Sequence, residues 1–283
     1  MFIGFVKIFF ITRMFLSLYK KKMNINLNGY QAVVGGSSRG LGLAVANQLA
    51  TSGAQVTLMA RNESKLQAIQ QKLPTPTKQK HDYLVVDYAD FPGFERKVTD
   101  FFESKSVDIL VNNTNGPAPG TVLQKGIDEY QQAFDLLFKS YHLLTHLLLP
   151  RMHTNGFGRI INLSSTSVKE PIANLALSNT IRTAVISWAK SLSREVAPFG
   201  ITVNNILTGS FDTERITEIL KAQAAQTGAS LEKLTEEKRG KIPAGRFGKP
   251  EEFGYLVAFL ASPMASYING ANIPIDGGYL TAL

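Results

Sequence analysis

The stretch Gly35-Gly36-Ser37-Ser38-Arg39-Gly40-Leu41-Gly42 stands between a short apolar run at residues 32–35 and an amphipathic run at residues 41–52. A buried strand, a glycine-rich turn and a helix in that order are typical of a dinucleotide-binding unit. The glycines let the backbone turn tightly and approach a pyrophosphate, and the N-terminus of the helix offers unpaired N–H groups at its positive end. The stretch therefore predicts a phosphate-binding loop at the start of an α/β fold.

Beyond this loop, short apolar runs alternate with longer amphipathic stretches. Strands are predicted at residues 32–35, 55–60, 83–86, 109–111, 159–163, 201–206 and 271–274, and helices at 41–52, 64–73, 91–104, 127–152 and 176–197. Continuous apolar strands separated by helices indicate a parallel sheet covered on both faces. With right-handed crossovers, the pattern predicts a single Rossmann-type α/β domain over residues 23–283, built on a doubly wound parallel sheet with helices on both faces.

One segment, residues 211–247, interrupts the alternation. It is polar, it follows the sixth predicted strand, and it contains stretches of helical composition at residues 216–225 and 231–239. Insertions at the ligand-binding edge of a sheet commonly cover the bound ligand. We expect this segment to form a lid.

The composition excludes several classes of function. The 283 residues include no cysteine, so disulfides, thiolate metal sites and cysteine nucleophiles are excluded. Four histidines are present, and no metal site is expected from them. Hydrophobic residues make up 44% of the chain and charged residues 18%, which is enough apolar material for a globular core.

The first 22 residues carry much of the net charge of +8. Lys7, Arg13 and the run Lys20-Lys21-Lys22 contribute five positive charges with no acid among them, which leaves +3 from Met23 onward. That remainder argues against a nucleic-acid-binding surface. Two interpretations remain for residues 1–22: an extension ahead of a natural start at Met23, or an anchor at a membrane surface. Because charges interrupt the apolar run, we expect the extension, a cytoplasmic protein and no membrane contact.

Several motifs resemble those of the short-chain dehydrogenase/reductase family, and together they cover residues 24–280. Gly36, Gly40 and Gly42 match the three glycines of the family's TGxxxGxG loop, with Gly35 where the family has Thr. Further matches follow in the family's order: Asp87, Asn112-Asn113-Thr114-Asn115-Gly116, Asn204-Asn205-Ile206-Leu207-Thr208-Gly209, residues 245–252 and Ile275-Asp276-Gly277-Gly278. The overall pattern is similar to that of bacterial 3-oxoacyl-(acyl-carrier-protein) reductases.

The resemblance implies an oxidoreductase that acts on a small-molecule carbonyl or alcohol substrate, such as a 3-oxoacyl thioester. It also implies a homotetramer with dihedral symmetry. Independently, the predicted helices at residues 127–152 and 176–197 carry more apolar surface than one sheet face can cover, including Leu143, Leu144, Leu147, Leu148, Leu149 and Trp188. That surplus favours contacts between subunits.

Charge at the end of the second predicted strand indicates which cofactor is bound. NAD-binding folds place an acid there for the ribose hydroxyls, but this chain has Ala60 followed by Arg61. Arg39 stands inside the glycine-rich loop, and two guanidiniums would complement a 2′-phosphate. NADP(H) is therefore the expected cofactor. The residues expected to bind it are Gly36, Ser38, Arg39, Gly40, Leu41, Gly42, Arg61, Asp87, Asn112, Thr114, Arg182, Gly209 and Thr213.

The catalytic positions implied by the resemblance are largely replaced. The family uses an Asn–Ser–Tyr–Lys set, in which Tyr protonates the carbonyl oxygen, Lys lowers the pKa of that Tyr, Ser steadies the substrate oxygen and Asn holds a relay water. The surrounding residues align this set with Leu137, Ser165, Ser178 and Arg182. Ser178 is a poor general acid because a serine hydroxyl does not titrate in the accessible pH range. Arg182 keeps the positive charge and could stabilise an oxyanion, but it cannot relay a proton.

No residue is an obvious substitute for the missing phenol. Lys169 is the first candidate, since it follows Ser165 by four residues and a lysine near Arg182 would have a lowered pKa. Tyr141 and His142 fit core or subunit packing better than acid catalysis. Two hypotheses follow: an NADP(H)-dependent oxidoreductase whose oxyanion is stabilised by the aligned serines and Arg182, or a catalytically impaired NADP(H)-binding scaffold or sensor.

Overall fold

The computed structural model describes residues 25–282, and the predicted extension at residues 1–22 lies outside them. The strands are β1 Gln31–Gly35, β2 Gln55–Ala60, β3 Asp82–Val85, β4 Ile109–Asn112, β5 Gly158–Ser165, β6 Ile201–Thr208 and β7 Asn272–Ile275. They form one sheet in the order β3-β2-β1-β4-β5-β6-β7, and every pairing is parallel. The predicted doubly wound sheet is confirmed, and the strand order reverses between β1 and β4.

Helices cover both faces of the sheet, as predicted. They are α1 Gly40–Thr51, α2 Glu63–Gln70, α3 Phe91–Phe102, α4 Ile127–Phe134, α5 Ser140–Asn155, α6 Ala176–Val196, α7 Glu214–Thr227, α8 Leu231–Gly240 and α9 Pro250–Ala261. Within residues 25–282, no helix combines the length and hydrophobicity that a bilayer crossing requires.

Alternating side chains of the strands divide the core into two layers. Val34 of β1 packs with α1 and α9, whereas its neighbour Val33 packs with α3, α5 and α6. This division follows from the two-residue period of a strand, which sends successive side chains to opposite faces. Helix α9 was not among the predicted helices. It lies so close to α1 that a Cβ at Gly254 would be 3.0 Å from the Ala44 carbonyl oxygen.

The single helix predicted over residues 127–152 is interrupted. A π-helical turn at Asp135–Lys139 separates α4 from α5, and the Ser140 hydroxyl donates to the Leu136 carbonyl at 2.6 Å. Such turns insert one extra residue into a helix and are frequent at functional sites. Leu137, which aligns with the family's catalytic Asn, lies in this turn and is fully buried.

A ladder of four asparagines connects β4, β5, β6 and β7 across one half of the sheet. The Asn112 amide donates to Asn162 at 2.9 Å, Asn162 donates to Asn205 at 2.9 Å, and Asn205 donates to Asn272 at 2.8 Å. These four residues are register partners, so their side chains emerge from one face of the sheet. Paired amides can be buried without the cost of an unsatisfied polar group. The ladder therefore holds the four strands of this half of the sheet together.

The 211–247 insertion has a small apolar core of its own. Helices α7 and α8 contribute Ile216, Leu220 and Leu234, and these pack with Ile242 and Phe247. The two helices were predicted at residues 216–225 and 231–239. Their position directly after β6 places the insertion beside the carboxyl edge of the sheet.

Candidate active site

A groove at the carboxyl edge of the sheet consists of two adjoining cavities, each of about 340 Å³. The Ser165 cavity is lined by residues that include Gly40, Leu41, Gly42, Ser165, Ser178, Arg182, Gly209 and Thr213, and the Arg61 cavity by residues that include Ser38, Ala60, Arg61, Asn62, Lys65 and Asp87. The two cavities share Gly36, Arg39, Thr114 and Asn115. The groove passes the reversal point between β1 and β4, where open α/β sheets bind their ligands.

Two predicted site residues lie outside this lining. Asn112 is buried, and its amide belongs to the asparagine ladder, whereas Asn113 lines the Ser165 cavity. Because neighbouring side chains at a strand end point in opposite directions, only one of the two can face the groove. The structure thus places Asn113 there in place of the predicted Asn112. Lys169 is exposed and does not line either cavity.

The glycine positions of the loop disfavour a side chain. Gly36 and Gly40 both have φ of +55°, a backbone conformation that favours glycine. A Cβ at Gly42 would lie 2.8 Å from the carbonyl carbon of Gly36, and one at Gly35 would lie 2.7 Å from the Tyr88 hydroxyl oxygen. The Asn113 backbone and the Tyr88 side chain therefore leave no room for the Cβ of the family's Thr at position 35.

Hydrogen bonds hold the loop to the strands on both sides of it. The Asn113 amide donates to the Gly35 carbonyl at 3.0 Å. On the other side, the backbone N–H of Met59 donates to the buried Ser37 hydroxyl at 2.9 Å. Sequence reasoning did not single out Asn113 or Ser37. Asn113 could have been predicted from its place in the motif at residues 112–116. The contact of Ser37 with Met59 joins residues 22 positions apart, so no local pattern indicates it.

The N-terminus of α1 opens onto the groove. Its N-cap is Arg39, whose side chain does not cap the helix. Unpaired N–H groups at a helix start carry partial positive charge and bind anions. The glycine positions that lack room for a Cβ and this helix start together fit the pyrophosphate of a dinucleotide.

The Arg61 cavity is predominantly cationic. Arg39, Arg61 and Lys65 line it, and Asp87 is the one acid among its described lining residues. Asp87 accepts a hydrogen bond from the Ala89 backbone N–H at 3.0 Å. This charge pattern suits a phosphorylated ribose, since an arginine presents several N–H donors to phosphate oxygens.

Arg39 also makes contacts that the sequence did not indicate. Its Nη1 donates to Glu214 Oε2 at 3.2 Å and to Glu218 Oε1, and its Nη2 donates to Glu218 Oε2 at 3.4 Å. Both glutamates belong to α7 of the insertion. These ion pairs connect the insertion to the glycine-rich loop.

The Ser165 cavity brings three predicted catalytic residues together. Ser165 and Ser178 line it beside Arg182, whose Nη1 donates to the Leu163 carbonyl at 2.6 Å. The Ser165 hydroxyl accepts from the Ser167 backbone N–H at 3.1 Å and keeps its own proton available as a donor. The trio offers two neutral donors and one permanent cation to an oxygen bound in the cavity.

The other aligned or alternative positions do not face this cavity. Leu137 is apolar and fully buried, so it cannot hold a relay water. Tyr141 is buried and its hydroxyl forms no well-oriented hydrogen bond with any described residue. Burial raises the pKa of Tyr141, although the nearby Arg182 charge opposes this effect. His142 is exposed, and its ring stacks on that of Phe138 with 6.3 Å between the ring centroids.

Comparison with known proteins identifies the class to which this groove belongs. Residues 36–280 match the family model described as enoyl-(acyl carrier protein) reductase. The match covers most of the chain, and the chain belongs to the short-chain dehydrogenase/reductase family of NAD(P)-dependent oxidoreductases.

Individual relatives are similar over nearly their whole length. The chain is 34% identical over 264 residues to 3-oxoacyl-(acyl-carrier-protein) reductase FabG of Vibrio cholerae, which covers 90% of this chain and 98% of that protein. It is 30% identical over 256 residues to NADPH-dependent reductase BacG of Bacillus subtilis, covering 89% and 98%. The crystal structure of L-sorbose reductase from Gluconobacter frateurii, complexed with NADPH and L-sorbose, superposes with a TM-score of 0.86 at 29% identity and covers 92% of this chain and 100% of that one.

Proposed function

We propose that this protein is an NADP(H)-dependent oxidoreductase that interconverts a small-molecule carbonyl and its alcohol. The observation that carries the proposal is the groove itself, which joins a phosphate-binding loop and a cationic cavity to a cavity lined by Ser165, Ser178 and Arg182. A protein that only bound a nucleotide would not require that polar trio.

The choice of NADP(H) over NAD(H) rests on the Arg61 cavity. Ala60 stands where an acid would contact the ribose hydroxyls, and Arg61 and Lys65 lie beside it. Relatives support the same choice, because BacG and L-sorbose reductase are described as NADPH-dependent or complexed with NADPH.

A 3-oxoacyl thioester-like compound is the substrate class we favour. Several relatives are 3-oxoacyl-(acyl-carrier-protein) reductases. The Ser165 cavity is also bordered by apolar residues, among them Leu175, Phe211 and Ile219. These side chains could cover an acyl chain while the polar trio contacts its carbonyl.

In the proposed mechanism, NADPH supplies the hydride when bound. Arg182 and Ser178 stabilise the negative charge that develops on the carbonyl oxygen, and Ser165 donates a further hydrogen bond. Preorganised donors contribute most in a site with little water. The proton comes from solvent, because no phenol is among the described residues that line the Ser165 cavity and the predicted substitute Lys169 lies outside that lining.

The cofactor assignment is tested by isothermal titration calorimetry. NADPH is expected to bind at least about 10-fold more tightly than NADH, or ~1.4 kcal/mol. Arg61→Asp should weaken or reverse this preference by placing a carboxylate near the 2′-phosphate. Equal affinities for the two cofactors would overturn the assignment. NADPH oxidation with a panel of β-keto thioesters, ketones and quinones then tests the reaction.

The second candidate is a catalytically impaired NADP(H)-binding scaffold or sensor. It is favoured by Leu137 and Ser178, which remove the relay water and the phenol of the family's set. A protein that binds NADPH tightly but is silent on the whole panel would support this candidate.

We also propose a cytoplasmic homotetramer. Phe138, His142 and Trp188 form an aromatic cluster on α5, α6 and the π-helical turn. Leu144 and Leu148, which were predicted to belong to the surplus apolar surface, are buried in the core. Aromatic residues are enriched in subunit interfaces. A monomeric mass by light scattering at micromolar concentration would contradict the assembly.

A further inference from the structure

Arg39 lies between the cationic Arg61 cavity and two carboxylates of α7. Its side chain lines both cavities of the groove, where Arg61 and Lys65 are its cationic neighbours. At the same time, its guanidinium hydrogen-bonds to Glu214 and Glu218. The cation proposed to bind a phosphate is thus already paired with two carboxylates.

The geometry of α7 makes this pairing specific. Glu214 and Glu218 are four residues apart and share one face of the helix. Thr213, the N-cap of α7, packs beside the loop, with its Cβ 3.7 Å from where a Cβ of Gly40 would lie. The hydrogen bonds with Glu218 and Glu214 raise the pKa of Arg39, and the bond from Arg39 lowers the pKa of Glu218.

Glu218 has a second cation within reach. The Nη1 atom of Arg215, on the same helix, lies 3.8 Å from Glu218 Oε2. Departure of Arg39 would therefore leave Glu218 with a cationic neighbour and not as an isolated charge. The ion pair is exposed, with 38% of the Arg39 side chain and 47% of the Glu218 side chain accessible, so exchange of partners carries a small desolvation cost.

We propose that Glu214 and Glu218 are specificity-determining residues that compete with the cofactor's 2′-phosphate for Arg39, and so hold the insertion to the loop until NADP(H) binds. The inference rests on the proposed NADP(H) function. One guanidinium cannot serve both carboxylates and a phosphate bidentately. NADH lacks the 2′-phosphate and would leave the pairs with Glu214 and Glu218 intact.

The test is a calorimetric comparison of NADPH and NADH binding to the full chain and its variants. Glu214→Gln combined with Glu218→Gln should tighten NADPH binding by about 2- to 10-fold, the range expected for the loss of exposed ion pairs. NADH affinity should change by less than about 2-fold. Glu236→Gln is the matched control, because Glu236 lies on α8 of the same insertion and pairs with Arg239 at 2.9 Å.

A double-mutant cycle with Arg39→Ala separates competition from general electrostatics. If Arg39 mediates the effect, the glutamate substitutions should not alter NADPH affinity in the Arg39→Ala protein. Tightening that persists without Arg39, equal tightening of NADH, or no tightening at all would each overturn the inference. A wild type that does not prefer NADPH would overturn the proposed cofactor as well, whereas a clear preference with unresponsive glutamate variants would overturn this inference alone.

Discussion

The glycine-rich loop and the catalytic positions of the Ser165 cavity differ in how closely they follow the family's pattern. The loop retains Gly36, Gly40 and Gly42, and the backbone geometry requires them. In the Ser165 cavity, Ser178 and Arg182 stand at positions that the resemblance assigns to Tyr and Lys. The glycine-rich loop is thus the conventional part of the site, and the Ser165 cavity is the altered part.

The difference reflects how the two parts recognise their ligands. Phosphate binding uses backbone N–H groups, a helix start and permanent cations, and none of these needs a tuned pKa. Proton transfer depends on a single group whose pKa lies near the working pH. A chain can therefore keep its cofactor site while its proton donor changes.

The largest expected effect is at Arg182. Arg182→Ala should lower turnover by about 100-fold or more, because removing a preorganised donor from a dry site costs ~3–4 kcal/mol. NADPH affinity should fall in parallel if Arg182 contacts the ribose. Ser178→Ala is the comparison variant, and it should lower turnover less and leave NADPH affinity nearly unchanged. Steady-state kinetics on the most active substrate and calorimetry measure both effects.

An inactive wild type would reverse this interpretation of Arg182. In that case neither substitution could reduce turnover. The double substitution Ser178→Tyr with Arg182→Lys would then be the informative variant, because it restores the family's residues at both positions. Activity gained only in that variant would identify the natural chain as a binding protein.

The next effect concerns the asparagine ladder that joins β4 to β7. Asn162→Ala should reduce the free energy of unfolding by about 2–4 kcal/mol, because it leaves polar groups of Asn112 and Asn205 buried without partners. Asn272→Ala at the exposed end of the ladder is the control, where water can replace the lost amide. Chemical denaturation of both variants tests the difference. Equal losses would contradict the argument from burial.

A smaller effect is expected in the conventional part. Gly42→Ala should weaken NADPH binding by roughly 10-fold or more, since overpacking costs ~1–3 kcal/mol and the clash here is with the Gly36 backbone. Gly240→Ala places a methyl group where no atom lies within 4 Å apart from the adjacent residues and backbone of its own helix. This control should bind NADPH like the wild type. Calorimetry on both variants shows whether the close approach within the loop matters.

The sequence predicted the conventional part better for a physical reason. Glycines between a strand and a helix indicate a local backbone requirement, so their role can be inferred without tertiary structure. The choice between Asn112 and Asn113 depended on which side of a strand end faces the groove. The pairing of Arg39 with Glu218 joins residues 179 positions apart. The π-helical turn at Asp135–Lys139 left no periodicity signal distinct from that of a long helix.

The smallest expected effect is at Tyr141, which lies behind the altered cavity near Arg182. Tyr141→Phe removes a buried hydroxyl without a well-oriented partner, so the free energy of unfolding should stay constant or rise by up to ~1 kcal/mol. Turnover should not change, because the hydroxyl does not line the described cavity.

The pH dependence of stability gives a second measurement of the same residue. Burial raises the pKa of Tyr141 above its ordinary value of 10.0. The folded protein therefore retains a proton that the unfolded chain releases, and stability should fall as the pH rises above 10.0. Tyr141→Phe should lessen that alkaline loss, as measured by denaturant unfolding from neutral pH upward. A large loss of turnover in Tyr141→Phe, with stability unchanged, would instead mean that this phenol acts through Arg182 in the reaction, and the altered cavity would then retain a tyrosine in a new place.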